Sequence, residues 1–370
     1  MGYSYALGKT FARAIGVGIA LIIATVTHPA TSLAVGPVAV SPYTLTPLTT
    51  LVPPMGATQP DDLAVSADGA DLWVGYGNGV ATDGSGGPSN LVEYNISSGA
   101  VLQNVSIPGH LDGLKINPKT GDIWATENED KNPTLAIVNH KNGKFKIYTF
   151  SPTLITGGMD DLVFSGPNFK DVFIVASAQA DTTTPVIVEF SGKPKKTGTA
   201  LTAVLAGAPM TVWNVVTDAA EANVKIGDPD SMTIDPAGEL VVCNRMVPPL
   251  PDPFGDSLYI VRASSATHPV LRVPLTLEDT TPVEVNDTIF TTSATTGASS
   301  TAGVIYITAT SANVIYSLTK PYFPANEVYT AANVLNDVGL VDLNTGIVTP
   351  VVTGLTGVHG LAFSPTPVAP

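Results

Sequence analysis

Five polar residues each stand directly before a short apolar run, at places far apart in the chain. They are Asp61, Asp112, Asp160, Asp230 and His359. Carboxylate oxygens bind divalent cations, and carboxylates and imidazoles move protons. If the fold gathers these side chains, two carboxylates about 4 Å apart repel by roughly 4 kcal/mol at an effective dielectric constant of about 20. Such a cluster needs a bound cation, a proton, water or wider spacing.

The segments that carry these residues share one plan. In residues 59–79 an acidic pair precedes a short apolar strand, an Asp68-Gly69 turn follows, and a second apolar strand completes a hairpin. The same plan recurs three times, and the last copy contains the first strand alone. The copies are residues 111–127, 159–176, 229–242 and 358–364.

Two further alternating strands follow most hairpins, as at residues 90–95 and 101–107. Four strands at a period of roughly 40 to 50 residues are typical of a β-propeller. The sequence therefore predicts an all-β protein. Counting the polar starts, with Asn286 in a degenerate fifth unit, gives a six-bladed β-propeller; a seven-bladed ring is the alternative if residues 319–336 contain another blade.

The ring must also close, because an open sheet edge invites aggregation. We expect the C-terminal strand to find its partners in the N-terminal arm, residues 35–56. Within the ring, residues 304–308 are expected as the second strand of the fifth unit. Residues 211–225 are expected as a partly helical connection before the fourth unit.

The first residues have the features of an export signal. Lys9 and Arg13 precede the apolar run 14–26, and small residues follow at 32–34. We predict a signal peptide over residues 1–34 and a single propeller domain over 35–370, secreted or periplasmic, with a retained helical anchor as the alternative. After signal removal we expect a monomer without membrane association.

Composition narrows the partners. The formal net charge is −14, which disfavours nucleic acid and anionic membranes. We expect a small molecule or a protein to bind one face of the propeller. Cys243 is the only cysteine, so no disulfide forms within the chain. Neither a P-loop nor a G-x-S-x-G or H-E-x-x-H motif occurs, which argues against several enzyme classes.

The units resemble those of the SMP-30/gluconolactonase family and the NHL-type propellers, and residues 123–127 are also similar to the streptogramin lyases. The resemblance covers most of the chain after residue 34, and residues 112–114, 117–118, 121–124 and 235–238 carry it. It implies a divalent metal at the centre of the ring, held by Glu, Asn and an Asp that also acts as a base. Asp230 matches that Asp best, whereas Asp61 replaces the Glu and aspartates replace the Asn positions.

The innermost strands of a propeller line its channel, so their first residues should meet at one mouth. Oxygen ligands favour calcium, with magnesium or manganese second. The alternative is structural, with each Asp accepting backbone hydrogen bonds. Asn244 and Arg245, like Glu127 and Asn128, follow second strands and are expected away from the axis unless a loop folds inward. The predicted metal ligands are Asp61, Asp112, Asp160, Asp230 and Asn286.

Two functions remain open. The first is an exported binding or scaffold protein with a polar, cation-binding channel mouth. The alternative is a metal-dependent, lactonase-like hydrolase or lyase acting on a small lactone or ester, in which Asp230 or His359 moves a proton. A lid formed by residues 319–336 would favour the enzyme, and an open face would favour binding.

Overall fold

A computed structural model describes residues 36–151, 154–155, 157–176, 184–245, 256–262, 266–291 and 303–365. The predicted signal peptide, residues 1–34, lies outside the described residues and stays a prediction. Across these ranges the chain forms strands and one 3-10 turn, Pro167–Phe169, but no α-helix. Nothing helical in this part of the chain is long and apolar enough to cross a bilayer.

The first half of the ring is built from consecutive antiparallel strands. An N-terminal arm, β1 (Val38–Ala39) and β2 (Thr44–Pro47), precedes it. Blade one contains β3 (Pro60–Val65), β4 (Asp71–Tyr76), β5 (Pro88–Asn95) and β6 (Val101–Pro108). Blade two contains β7 (Leu111–Ile116), β8 (Ile123–Glu127), β9 (Thr134–Val138) and β10 (Phe145–Tyr148). Blade three contains β11 (Met159–Ser165), β12 (Asp171–Ala176), β13 (Ile187–Ser191) and β14 (Thr202–Leu205).

Blade four has an added hairpin, β15 (Met210–Asn214) and β16 (Ala219–Val224), where a partly helical connection was predicted. That prediction was wrong. The Asn214 carboxamide accepts hydrogen bonds from the N–H groups of Val216 and Thr217 and shapes the turn, and β15 pairs in parallel with the blade's outer strand. The blade itself contains β17 (Pro229–Ile234), β18 (Leu240–Asn244), β19 (Ser257–Val261) and β20 (Val270–Pro274).

Blades five and six are interleaved along the chain. The strands are β21 (Thr288–Phe290), β22 (Val304–Ala309), β23 (Val314–Thr319), β24 (Val328–Ala332), β25 (Asp337–Val341), β26 (Val348–Thr353) and β27 (Val358–Ser364). Blade five has the order β21-β24-β25-β26-β1, and blade six has the order β27-β22-β23-β2. The chain thus leaves blade five after one strand, builds the middle of blade six and returns.

This interleaving corrects the predicted fifth unit. Residues 304–308 belong to β22, which pairs with β27 rather than with β21, and β24 takes the predicted place beside β21. Both β22 and β24 are buried along their whole length. Their hydrophobic patterns therefore do not distinguish them, and pairing across the sheet decides which blade each one joins.

The ring has six blades among the described residues, as predicted, but the C-terminal strand pairs with β22 and not with the N-terminal arm, which supplies the outer strands of blades five and six. The arm strand β1 pairs with β26 and β2 pairs with β23, while β27 forms the inner strand of blade six. Lys320 anchors the arm: its Nζ lies 5.0 Å from the centre of the Tyr43 ring and 2.6 Å from Glu327. The protein is therefore a six-bladed β-propeller in which both ends of the described chain complete the last two blades.

The core lies between the blades, with a buried apolar cluster for each adjacent pair in the described chain. Trp73 and Trp124 occupy the same position on the second strands of blades one and two and are 2% and 6% exposed. The Trp124 ring packs edge-on against Phe164 of blade three, with ring centres 5.1 Å apart. These clusters fix the six inner strands around the central channel.

Candidate metal centre at the channel mouth

Each innermost strand brings two consecutive residues to the channel. Consecutive side chains of a regular strand point to opposite faces. A β-bulge interrupts the pairing here in blades one to four and in blade six, and bulges redirect side chains. The pairs line one cavity of about 30 Å³, which has room for about two water-sized spheres.

The first residue of each pair belongs to what we call the upper ring, and the second belongs to the lower ring. The upper ring consists of Asp61, Asp112, Asp160, Asp230, Asn286 and His359. The lower ring consists of Asp62, Gly113, Asp161, Ser231, Asp287 and Gly360. The structure thus brings together all six residues that the sequence pattern singles out.

In the lower ring, aspartates in alternate blades join neighbouring blades. Asp62 accepts hydrogen bonds from the N–H of Leu63 in its own strand (2.8 Å) and of Leu114 in blade two (2.6 Å). Asp161 likewise accepts from the N–H of Leu162 in its own strand and of Met232 in blade four. Asp287 accepts from Thr288 in its own strand and from Leu361 in blade six. The structural alternative considered for the upper ring therefore applies to the lower ring.

Small residues fill the other three lower-ring positions because the next blade approaches closely. A Cβ added to Gly113 would lie 2.4 Å from the carbonyl oxygen of Asp160, and one on Gly360 would lie 2.6 Å from that of Asp61. Ser231 takes the third position, in blade four. The alternation of aspartate with a small residue makes the ring a threefold repeat of two-blade units.

Lys115 neutralises the lower ring. Its Nζ lies 2.9 Å from Asp161 Oδ2 and 3.3 Å from Asp62 Oδ2. Burial raises the pKa of Asp62 to about 6 and that of Asp287 to about 8, and the charge of Lys115 opposes both shifts. Burial disfavours the charge of Lys115 as well, but the three carboxylates keep its pKa above the ordinary value. This ring is thus an electrostatic unit that holds the blades together.

Two protein cations compensate one part of the upper ring. His359 Nδ1 pairs with Asp61 Oδ1, and Arg245 NH1 lies 3.1 Å from Asp230 Oδ1. Burial opposes ionisation of both members of the first pair, but their attraction raises the pKa of His359 to about 9 and lowers that of Asp61. Arg245 was expected away from the axis unless its loop folds inward, and the backbone after β18 does fold inward, with the N–H of Arg245 bonded to the Asp228 carbonyl.

Asp112 and Asp160 of the upper ring, with Glu129 beside them, have no lysine or arginine in an ion pair among the described residues, although His110 Nε2 lies 3.7 Å from Glu129 Oε1. Asp112, Asp160 and Glu129 each offer an oxygen atom, and the three atoms lie within 4.8 Å of one another. Burial, followed by repulsion between these carboxylates, raises the pKa of Asp112 and Asp160 well above the ordinary value. Burial and the charge of Asp61 raise the pKa of Glu129 to about 7. This sector is therefore where a cation would relieve the most repulsion.

Two buried side chains of the upper ring have polar atoms without a partner among the described residues. Asp160 is 2% exposed, and its Oδ1 accepts no hydrogen bond. Asn286 is 1% exposed, and both its Oδ1 and its Nδ2 lack a partner. Because an unsatisfied buried polar group costs about 1–3 kcal/mol, a water molecule or a bound ion in the cavity would stabilise these atoms.

The two predicted catalytic residues also lie at this mouth. Burial raises the pKa of Asp230 to about 7, although Arg245 opposes the rise, and His359 is paired with Asp61. His110, on the loop before β7, has its Nδ1 3.0 Å from the Val80 carbonyl oxygen. The sequence pattern missed Glu129 because it stands in the loop after β8, without an apolar run behind it.

Comparisons with known proteins add only a likeness of shape. No protein-family model matches the chain, and no curated protein sequence matches it. Hydrazine synthase from Kuenenia stuttgartiensis is similar with a TM-score of 0.43 and 11% identity over 78% of each chain. PorZ, a surface component of the type-IX secretion system of Porphyromonas gingivalis, has a TM-score of 0.42 and 14% identity over 78% of this chain and 33% of that chain. The β-propeller domain of Cps50 (Swd1) from Myceliophteria thermophila has a TM-score of 0.40 and 10% identity over 78% of this chain and 72% of that chain.

Proposed function

We propose that the protein is a binding or scaffold propeller whose channel mouth holds one calcium ion between Asp112, Asp160 and Glu129. The unpartnered buried Oδ1 of Asp160 carries this proposal, because a carboxylate oxygen at 2% exposure needs a donor or a cation. The mutual distance of 4.8 Å or less between the three oxygen atoms suits a single ion. The motif resemblance to metal-dependent propellers also implies a divalent metal at the centre of the ring, although with Asp230 among its ligands.

The donor chemistry favours calcium over zinc. Calcium takes six to eight oxygen ligands, from carboxylates, amide carbonyls and water. Asp112, Asp160 and Asn286 line the same small cavity, and Glu129 offers an oxygen atom within 4.8 Å of those of Asp112 and Asp160. Of the nearby imidazoles, His359 pairs with Asp61. His110 bonds to the Val80 carbonyl through Nδ1, while its Nε2 lies 3.7 Å from Glu129, so a single imidazole stands beside an oxygen-rich set of groups. Asp61 and Asp230, also predicted as ligands, contribute to the field of the mouth while their cationic partners bind them.

A binding function is favoured over the lactonase-like alternative for a structural reason. Residues 319–336, which would form a lid in an enzyme, contain β24. This strand pairs with the innermost strand of blade five, so it belongs to the ring. One observation supports the alternative: Asp230, with a pKa of about 7, is able to exchange a proton at neutral pH. In that alternative the cation polarises a substrate carbonyl, and Asp230 or His359 moves the proton.

We further propose that the protein is exported, by the signal at residues 1–34, and acts as a monomer that presents one face to a small molecule or a partner protein. The acidic mouth favours cationic or neutral groups over polyanions. A partner bound through the metal ion should dissociate when a chelator removes the ion. A partner bound elsewhere on the ring should remain bound, so chelation distinguishes the two cases.

Thermal unfolding in chelator and in millimolar calcium, magnesium or manganese tests the proposal. Calcium at about 100 times its dissociation constant should stabilise the protein by about 2.7 kcal/mol. The variant Asp112→Asn/Asp160→Asn should lose this stabilisation, while Glu278→Gln, which removes an exposed carboxylate outside the site, should retain it. An equal melting temperature with and without each ion would refute the metal site.

A further inference from the structure

A second cavity lies between blades two and three, at the ends of the strands opposite the channel mouth. Its volume is about 590 Å³, within the range of about 300–1,000 Å³ that small-molecule sites occupy. Its walls come from the β7–β8 and β9–β10 turns of blade two and from the β11–β12 turn and the end of β13 in blade three. We call this cavity the lysine cleft.

The lysine cleft is basic in an acidic protein. Five of the 17 cationic residues of the chain line it, and the net charge of the chain is −14. No ion pair joins any of these five to a carboxylate in the described part of the chain. The one carboxylate in the lining, Asp122, already accepts from Asn139 at 3.1 Å and contacts His140 at 3.3 Å. The five are Lys119, Lys144, Lys146, Lys170 and Lys193.

Clustered like charges destabilise a fold unless something compensates them. The five lysines lie together in the cleft, whereas most carboxylates of the chain lie elsewhere. The electrostatic potential of the cleft is therefore positive. Low-dielectric walls on both sides strengthen that potential. The electrostatics of the lysine cleft therefore suit an anionic ligand.

The floor of the cleft is aromatic and apolar. Trp124 and Tyr148 are buried in it, and Phe169 remains half-buried at its edge, whereas the Phe145 side chain packs against the apolar cluster between blades one and two. Phe169 has a φ of 51° and follows Asn168 at 60°. A bulky residue in the left-handed region is uncommon and strained, and such strain concentrates at ligand sites. The two positive φ values point to a backbone shaped for contact at this rim.

The rim adds groups that bind hydroxyls. Asn142, Asn168 and Thr120 are exposed there and offer amide or hydroxyl groups. Flat apolar rings, amides and lysines together match a sugar ring that carries carboxylate or sulfate groups. A long polyanion such as a nucleic acid fits less well, because the protein's overall negative charge repels it.

We propose that the lysine cleft binds a short acidic oligosaccharide. The face of one sugar ring packs on Phe169, its acidic groups pair with lysines from both blades, and its hydroxyls bond to the rim amides. This inference is independent of the calcium site, which lies at the other end of the channel.

Calorimetric titration with trigalacturonate, in chelator, tests this proposal without involving the metal. We expect binding whose affinity falls as salt rises from about 50 mM to about 500 mM, because salt screens exposed charges. Lys146→Ser/Lys170→Ser, which removes one lysine from each blade, should weaken binding by at least about tenfold, or about 1.4 kcal/mol. The control Lys131→Ser/Lys195→Ser removes the same charge from exposed positions outside the lining and should bind like the parent.

Titrations with maltotriose, a neutral trisaccharide, and with tetraglutamate, an acidic peptide, test which class of ligand the cleft prefers. Neither the neutral trisaccharide nor the acidic peptide should approach the affinity of trigalacturonate. Equal binding of maltotriose would refute the charge argument, and tighter binding of tetraglutamate would make the site a peptide site. Unchanged affinity in the cleft variant, or no binding of trigalacturonate at millimolar concentration, would overturn the proposal.

Discussion

Lys115→Met should destabilise the propeller more than other lysine substitutions. The ammonium group lies 2.9 Å from Asp161 and 3.3 Å from Asp62, and a third carboxylate, Asp287, adds to its charge environment. Methionine keeps much of the side chain's length and apolar surface but removes the charge. The change therefore isolates the electrostatic contribution of the lysine to the lower ring.

The expected loss follows from the burial of the pair. Removing one partner of a buried ion pair costs about 3–5 kcal/mol, because the other charge stays buried without compensation. Asp161 has a side-chain exposure of 3%, whereas Lys115 has 28%. The lysine's exposure reduces the effect through solvent screening, so we expect a loss of about 3 kcal/mol in the free energy of unfolding.

Equilibrium denaturation in guanidinium chloride at pH 8, with chelator present, measures this loss. Lys119→Met is the matched control, because Lys119 is an exposed lysine in the same blade and should change stability by no more than about 0.5 kcal/mol. If Lys115→Met is as stable as Lys119→Met, the lower ring does not depend on its central cation and the reasoning fails.

The loss should also depend on pH. The pKa of Asp62 is raised to about 6 and that of Asp287 to about 8. Protonation of these two groups therefore stabilises the folded state, fully below about pH 4. This stabilisation is lost as the pH rises through the two pKa values. Lys115 limits the loss in the parent protein. The deficit of Lys115→Met should therefore be larger at pH 8 than at pH 5, and an equal deficit would contradict this account.

Three further changes test other parts of the structure. Gly113→Ala should cost about 1–3 kcal/mol in the free energy of unfolding, because the added methyl group overpacks against the next blade. Gly36→Ala, whose added Cβ would lie in open space, should be neutral in the same denaturation assay. Equal costs for the two variants would refute the close approach of the blades. Asn286→Leu should be neutral or stabilising in chelator, because both amide atoms lack partners, yet should weaken calcium binding in a calorimetric titration; a large loss of stability in chelator would contradict this. Lys320→Met, which removes the 2.6 Å contact with Glu327, should speed limited proteolysis within the arm, and an unchanged cleavage rate would show that the arm is held by strand pairing alone.

The upper ring could be predicted from sequence because its signal is local. A polar residue precedes an apolar strand at Asp61, Asp112, Asp160 and Asp230, and the strand's place in the repeat fixes its place in the ring. His359 and Asn286 follow from the same register. Their convergence at one mouth needs only the propeller architecture, which the period of the hairpins indicates.

The lower ring could not be predicted in the same way, since its partners lie in neighbouring blades. Asp62 bonds to the backbone of Leu114, 52 positions later, and nothing local to either residue marks the pair. The small residues at Gly113 and Gly360 look like ordinary strand glycines until the next blade is placed beside them. Lys115 reads as an ordinary strand residue for the same reason.

The sequence pattern also did not predict the loop residues at the mouth or the interleaving of blades five and six. Arg245 and Glu129 reach the mouth from loops, where no period constrains direction. In blades five and six, β22 and β24 are both buried and apolar, so their sequences do not specify which inner strand each one pairs with. In the structure β22 pairs with β27 and β24 pairs with β21, and β27 lies at the C-terminal end of the described chain, far from β22 in sequence.

A crystal structure of the protein grown in millimolar calcium chloride would reveal whether the channel mouth binds calcium. Anomalous diffraction at long wavelength identifies the ion independently of any assumed chemistry. We expect one peak in the channel mouth, with oxygen atoms of Asp112, Asp160 and Glu129 at about 2.3–2.6 Å. A mouth that contains only water under these conditions, or an ion bound elsewhere, would contradict the account.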